Sequence, residues 1–235
     1  MPCPSSCRPC RTRQKKSNPL QKSGGNNGDP VQFGVRSVVP ACYYKSMEFT
    51  NANFTHQILI AMPGMADPRF SETLTYIIKH DEEGAVGLVI NKPLDLPLSR
   101  LLTEISLPPL EPLPTPEPHV LFGGPVQPNM GFVLHRDNGH WNACTAVADG
   151  IFVTSSRDIL DAISQGKGPS EYLVALGYAG WSAGQLEDEM AQNAWLTCDP
   201  DTELLFELPF AKRWQAAALR LGVDLRLLSD QVGHA

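Results

Sequence analysis

The chain has 235 residues, 42% hydrophobic and 19% charged, which suits one globular domain or two small packed lobes with a sizeable core. It contains no run of 18 apolar residues, so no stretch reads as a membrane-spanning helix. The formal net charge of -6 is uneven: residues 1–46 carry eight Lys or Arg against Asp29, about +7, leaving 11 Lys or Arg against 24 Asp or Glu, about -13, for residues 47–235. A body that acidic lacks the electrostatic footprint of a nucleic-acid binder, which argues against direct DNA binding by the core.

Residues 1–46 are rich in Pro, Ser, Gly and basic residues and show no period of 2 or 3.6, so they bury too little apolar surface to offset their ordering entropy. They read as a disordered basic extension: a transit peptide, a basic arm, or a stretch upstream of an initiator at Met47. Met47 lies within ten residues of the first organised sequence, which favours the last of these and a folded domain over 47–235. Cys3, Cys7 and Cys10 have the C-x3-C-x2-C spacing of iron–sulfur radical enzymes, but they sit among prolines with too little chain behind them for eight βα units. Cys42, Cys144 and Cys198 are scattered without paired spacing, against a zinc site or disulfide framework and in keeping with a reducing cytoplasm.

Organised sequence begins at "HQILIAMPGMADPRF", where Ile58 to Met62 predicts a short strand ended by Pro63 and Gly64. "TLTYIIKHDEEGAVGLVINKP" predicts a hairpin, Leu74 to Lys79 and Ala85 to Ile90 around a polar turn, with Gly84 supplying a positive φ. Both strands are apolar beyond strict alternation, so the sheet is expected to be covered on both faces, and Pro93 ends the second strand. "LSRLLTEI" reads as a short helix, "LPPLEPLPTPEPH" as a semi-rigid loop, and "HVLFGGPV" and "MGFVLHR" as two strands. "GIFVTSS" is a strand leading into the helix "RDILDAISQ", capped by Ser155 or Ser156 and stopped by Gly166. "EYLVALGYAGW" is a strand, and Ser182 with Gln185 forms a capping box for the helix "AGQLEDEMAQNAW". "TELLFE" reads as a strand and "PFAKRWQAAALRLG" as an amphipathic helix with Pro209 in its first turn and Gly222 after its end. Hairpins mixed with strand–helix units predict an α/β or α+β sandwich with a mixed, bulged sheet flanked by helices.

Eight ordered motifs, "LIAMPGMADPRF", "GAVGLVINKP", "LFGGPV", "GFVLH", "TSSRDIL", "LGYAGWSAGQLEDE", "NAWL" and "RWQAAALRLGVD", resemble the AlgH/YqgE family over essentially all of residues 54–235. The resemblance implies a compact cytoplasmic bacterial protein of mixed α/β architecture. It also implies a family name attached to transcriptional regulation of alginate synthesis, and no settled activity. The family pattern starts near "NFTHQILIAMP", so residues 1–46 depart from it.

Two function classes have residues to support them. A binding or regulatory protein, with a small molecule or a protein as partner, would use loop residues at strand ends: Asn91, Gly123, Gly124, Pro125, Gly177, Tyr178, Gly180 and Trp181. Glycine admits close backbone approach, and Tyr178 and Trp181 offer flat amphipathic surface; the bland alternative is that the glycines serve turns and the aromatics the core. For Asn91, the first polar residue after an apolar strand, ligand contact and the tethering of loop backbone both stand. If the strands before "NKP", "FGGP" and within "GYAGW" run parallel, these segments gather at one edge.

An enzyme has thinner support. His80 beside Asp81 and Glu82 is the nearest approach to a catalytic constellation, but it falls at a hairpin tip where charged residues are solvated. Cys144 lacks an activating glycine-rich elbow, and the serines have no G-x-S-x-G context. Glu187 and Glu189 lie two apart on a helix, on different faces, and cannot form a carboxylate pair. His56, His119, His135, His140 and His234 show no ligand spacing, and no nucleotide-binding glycine motif occurs, so neither metal nor cofactor is expected. The reading favours a non-enzymatic binding or regulatory protein over an enzyme with a strand-end pocket.

Overall fold

The computed structural model describes residues 53–136 and 140–225, so the reading of residues 1–46 and of Met47 lies outside the described residues. In chain order the elements are β1 (Ile58–Ala61), β2 (Leu74–Asp81), β3 (Gly84–Val89), β4 (Pro93–Pro97), α1 (Leu98–Glu104), β5 (His119–Phe122) and β6 (Val126–His135). There follow β7 (Cys144–Ala148), β8 (Ile151–Thr154), α2 (Arg157–Ser164), β9 (Tyr172–Ser182), α3 (Gln185–Ala191), β10 (Trp195–Cys198) and α4 (Phe210–Arg220). The result is a mixed α+β fold dominated by one curled, mostly antiparallel sheet with helices.

The sheet runs β10-β1-β2-β3-β9-β6-β8-β7, with β4 paired to β5 and β5 paired to β9. Among these pairings only β5 with β9 is parallel, and β3 and β6 run antiparallel to β9. The three candidate loops therefore do not follow three parallel strands. β9 is the axis: its first half lies between β5 and β6, and its second half pairs with β3.

Apolar residues cover both faces, as the apolar strands required. Ile58, Ile60, Leu74, Tyr76, Leu88 and Leu121 pack on one face against Leu204, Leu205, Ala217 and Ala218. On the other face, Leu59, Ala61, Ile77 and Ala85 pack with Leu186 and Met190 of α3, while Val120, Val133 and Val174 pack with residues of α1 and α2. The two faces alternate strictly within β1, as an extended strand dictates.

β9 breaks that alternation. Leu173 and Ala175 face the first layer, yet Ala179 and Trp181, also odd-numbered, face α3 on the opposite side. Between them stands Gly177 at φ +73°, a conformation that glycine adopts without penalty. One residue in this state shifts the pleat by one position and exchanges the faces of everything after it. The site is also crowded: a Cβ on Gly177 would lie 2.3 Å from Gly124 O, one on Gly123 2.2 Å from Gly177 O, and one on Gly124 2.1 Å from Tyr178 C. β2 has a similar shift between Ile77 and Lys79, which turns His80 away from the face of Leu74 and Tyr76.

Three expected elements differ. "TELLFE" is a π-helical turn, Glu203–Glu207, because Asp201 Oδ1 accepts the Leu204 N–H at 2.8 Å and the Leu208 N–H reaches Glu203 O at 2.8 Å. A short apolar run serves a buried turn as well as a strand, and periodicity does not separate the two. α3 stops at Ala191, since Asn193 enters the left-handed region at φ 56° and Trp195 opens β10. Pro93 begins β4 as well as ending the connection from β3, a position proline tolerates at a strand start.

α4 is fastened by Arg213, which is 1% exposed and donates from Nε to Leu208 O and from Nη1 to Ile90 O, both at 2.8 Å. Its guanidinium also lies 4.6 Å from the centre of the Phe210 ring, and burial brings its pKa down to about 10.

Gly177→Ala tests the bulge, because the added methyl meets Gly124 O and the backbone is left in a strained region. The expected loss is about 3 kcal/mol in urea unfolding, at the upper end of ordinary substitutions. A loss below about 1 kcal/mol would mean that this crossing relaxes without cost.

Candidate functional site

The bulge in β9 puts Gly180 and Trp181 beside a cavity of about 850 Å³, within the range of small-molecule sites. One wall is the loop after β1, Met62 to Phe70, whose Met62 N–H donates to Ala194 O at 3.0 Å. The loop carries a single 3₁₀ turn, Pro68–Phe70, capped by Asp67. Arg69 forks onto the same carboxylate, from Nη2 to Oδ2 at 2.6 Å and from Nε to Oδ1 at 3.0 Å. That hydrogen bonding holds the Asp67 carboxyl below its usual range. The remaining walls come from Pro125 and Val126 at the start of β6, from α3, and from the turn into β10.

The floor is aromatic. Phe70, Trp181 and Trp195 lie with ring centres 5.8 to 6.4 Å apart, two of the three pairs edge-to-face. Their polar edges converge on Glu189, whose Oε2 accepts the indole N–H of Trp181 at 2.9 Å and that of Trp195 at 2.8 Å. Gln185, one helical turn earlier, donates its amide to Glu189 Oε1 at 2.9 Å. Gln185 Oε1 in turn accepts the Ser182 N–H at 3.1 Å, the side-chain half of a capping box, although the helix cap is Gly184. One carboxylate therefore joins β9, α3 and β10.

The sequence candidates divide cleanly. Pro125, Gly180 and Trp181 line the cavity; Asn91, Gly123, Gly124, Gly177 and Tyr178 do not. Gly123, Gly124 and Gly177 make the close backbone crossing, and Tyr178 packs edge-to-face on Phe132 at 5.8 Å. Asn91 is 7% exposed; its Oδ1 accepts the Leu74 N–H and its Nδ2 donates to Glu72 O, both at 2.8 Å. Its amide tethers the start of β2 to the end of β3.

His80 is not solvated at the hairpin tip. It is 7% exposed, its Nδ1 accepts the Phe54 N–H at 3.1 Å, and its Nε2 lies 3.0 Å from Glu187 Oε1, off the line of a hydrogen bond. Glu187 and Glu189 do point to different partners, His80 and the two indoles. Among the described residues, neither cysteine lines the cavity: Cys198 is buried, which pushes its thiol up to about 11, and Cys144 lies on β7. Among the described residues, no three His, Cys, Asp or Glu side chains converge as a metal-binding group. Phe70, Gln185, Glu189 and Trp195 were not among the site candidates read from the sequence; the available signal was the i,i+4 spacing of Gln185 and Glu189 after Trp181.

The AlgH-like family pattern matches residues 58–226, an interval that contains every element from β1 to α4. The chain belongs to the AlgH-like family. A UPF0301 protein of Thioalkalivibrio sulfidiphilus is 53% identical over 185 residues, 79% of this chain and 98% of that protein. Another, from Azoarcus sp., is 53% identical over 189 residues, 80% of this chain and all of its own length. The solution structure of the AlgH protein from Pseudomonas aeruginosa matches with a TM-score of 0.64 at 46% identity, over 79% of this chain and 98% of that one. A crystal structure of a Corynebacterium diphtheriae protein, 19% identical with a TM-score of 0.57, shares the fold over 75% of this chain and 91% of that one. The UPF0301 label states no activity, so the chemistry of an AlgH-like site must be argued from its residues. Among the described residues, no helix is long and apolar enough to cross a membrane.

The Asn91 tether is open to measurement. Asn91→Ala leaves a buried N–H and a carbonyl without their partners, and denaturant unfolding in the absence of ligand should show a loss of about 1 to 3 kcal/mol. A loss under about 0.5 kcal/mol would mean that these two bonds do not hold the strand ends, and would return the amide to the pool of ligand-contact candidates.

Proposed function

We propose that this AlgH-like chain is a cytoplasmic, non-enzymatic binding protein of regulatory role, and that its ligand is a small molecule held in the cavity between the 62–70 loop, β9 and α3. The observation that carries the reading is the make-up of that cavity: an apolar floor of Phe70, Trp181 and Trp195 held by the Glu189 carboxylate, and a polar rim that includes the Asp67–Arg69 pair. Sites of this kind bury a ligand on apolar walls and orient it with a few placed polar groups. Among the described residues, the lining includes no Ser, Cys, His or Lys, so a hydroxyl, thiol or amine nucleophile would have to come from elsewhere. That favours binding over covalent catalysis. The acidic balance of residues 47–235, 24 Asp or Glu against 11 Lys or Arg, favours a regulatory effect exerted through a ligand or protein partner over contact with duplex DNA.

Thermal unfolding of the full chain against a metabolite library tests the reading. A ligand present at a hundredfold its dissociation constant should stabilise the folded state by about 2.7 kcal/mol. Gly64 lines the cavity, and a Cβ built there meets nothing within 4 Å, so Gly64→Trp should fill the site while leaving the free melting temperature nearly unchanged. The hit's stabilisation should vanish in that variant. Full stabilisation of Gly64→Trp would place the site elsewhere, and turnover of the hit would replace binding with catalysis.

A further inference from the structure

Of the two carboxylates that line the cavity, Asp67 is paired with Arg69, and Glu189 has no cation beside it among the described residues. Glu189 is half-buried and takes three hydrogen bonds, all from neutral donors: two indole N–H groups and a primary amide. Such donors orient a carboxylate without supplying a counter-charge. Among the described residues, no Lys, Arg or His forms an ion pair with Glu189, and Arg69 on the rim is committed to Asp67. The formal charges lining the cavity are Asp67, Arg69 and Glu189, a net of -1.

The hydrogen-bond count leaves room for one more donor. A carboxylate offers about four lone-pair directions, and two of the three bonds made here fall on Oε2. Oε1 therefore keeps a direction free beyond the Gln185 amide. The neighbouring rings add to the preference, since aromatic faces carry negative potential and attract ammonium groups. An anionic ligand would meet Glu189 with only the Asp67-paired Arg69 among the described lining residues to receive it, and a neutral one would leave the charge uncompensated.

We propose that the cavity selects a protonated amine carried on a flat apolar body, the ammonium donating to Glu189 Oε1 and the body resting on Phe70 and the exposed edge of Trp181. This inference rests on the reading of the cavity as a ligand site and adds the chemical class of the ligand. Glu189 is thereby a specificity-determining residue as well as a structural junction.

Three probes that share one ring system and differ in charge test it: tryptamine, indole-3-ethanol and indole-3-acetate, titrated calorimetrically into the full chain at pH 7. Tryptamine should bind at least tenfold more tightly than indole-3-ethanol, and indole-3-acetate should give no measurable heat. Glu189→Gln should remove the tenfold preference while retaining binding of indole-3-ethanol. Because that variant also disturbs two indole bonds, near-ultraviolet circular dichroism must first show native packing; the comparison of probes on the unaltered chain stands without it. Binding of tryptamine no tighter than indole-3-ethanol, or a preference that survives in folded Glu189→Gln, overturns the inference and leaves the cavity itself intact as a site. Absence of binding by all three probes also overturns it, and the wider reading then stands or falls on the library screen with Gly64→Trp.

Discussion

Gly177 divides β9 into two halves of opposite parity, and the positions of the other site-forming groups depend on that division. With a regular pleat through residue 177, Ala179 and Trp181 would share the face of Leu173 and Ala175 and point toward α4. The left-handed step at φ +73° sends them to α3 instead, where Trp181 meets Trp195 and Glu189. Such a step demands glycine at 177. The same crossing demands small neighbours, because Gly123 and Gly124 approach within backbone contact of Gly177 and Tyr178. The glycines named as ligand candidates thus act one stage earlier, by setting the geometry from which the cavity follows.

The α3 face gathers the polar groups that surround the cavity. A second register shift, in β2, delivers His80 to the same side, where it sits beside Phe54 and Glu187. Glu189 follows two positions later on α3 and serves the two indoles. Helix geometry separates these carboxylates by about 200°, so one meets His80 near the β2–β3 turn and the other lies beneath the cavity floor. Burying indole N–H groups without partners would cost about 1 to 3 kcal/mol each, so a single acceptor shared by Trp181 and Trp195 stabilises the aromatic cluster while placing charge at the edge of an open site. The opposite face has a different anchor: Arg213 reaches two carbonyls and an aromatic ring, fixing α4 against the strand end that Asn91 also tethers.

Much of the fold was legible because it is written in local periods. The β2–β3 hairpin, the helices at α1, α2 and α4, and coverage of both sheet faces follow from turn residues and apolar spacing. Glu203 to Glu207 was misread because an apolar run of that length suits a strand or a buried turn equally. The site was legible only in part. Pro125, Gly180 and Trp181, chosen from their residue types, line the cavity, but Glu189 and Trp195 become neighbours of Trp181 only through tertiary packing. His80 was misread for a related reason, since nothing in "IIKHD" announces a bulge that reverses which side chains face inward. Asn91 was left between two roles; its amide makes two backbone bonds, and it does not line the described cavity.

An AlgH-like chain built this way presents an aromatic, singly charged pocket whose floor and charge are one hydrogen-bonded unit. Any ligand that engages Glu189 must therefore be felt by both indole N–H groups. Nitrogen–proton correlation spectra of the full chain offer the most direct test, because the chain has four tryptophans and their indole signals are separable from the backbone. On saturation with tryptamine, the indole signals of Trp181 and Trp195 should shift together while that of Trp141, packed against His135 on the far part of the sheet, stays in place. Movement of Trp141 with Trp181 and Trp195 unchanged would contradict the account, because the ligand would then bind away from Glu189.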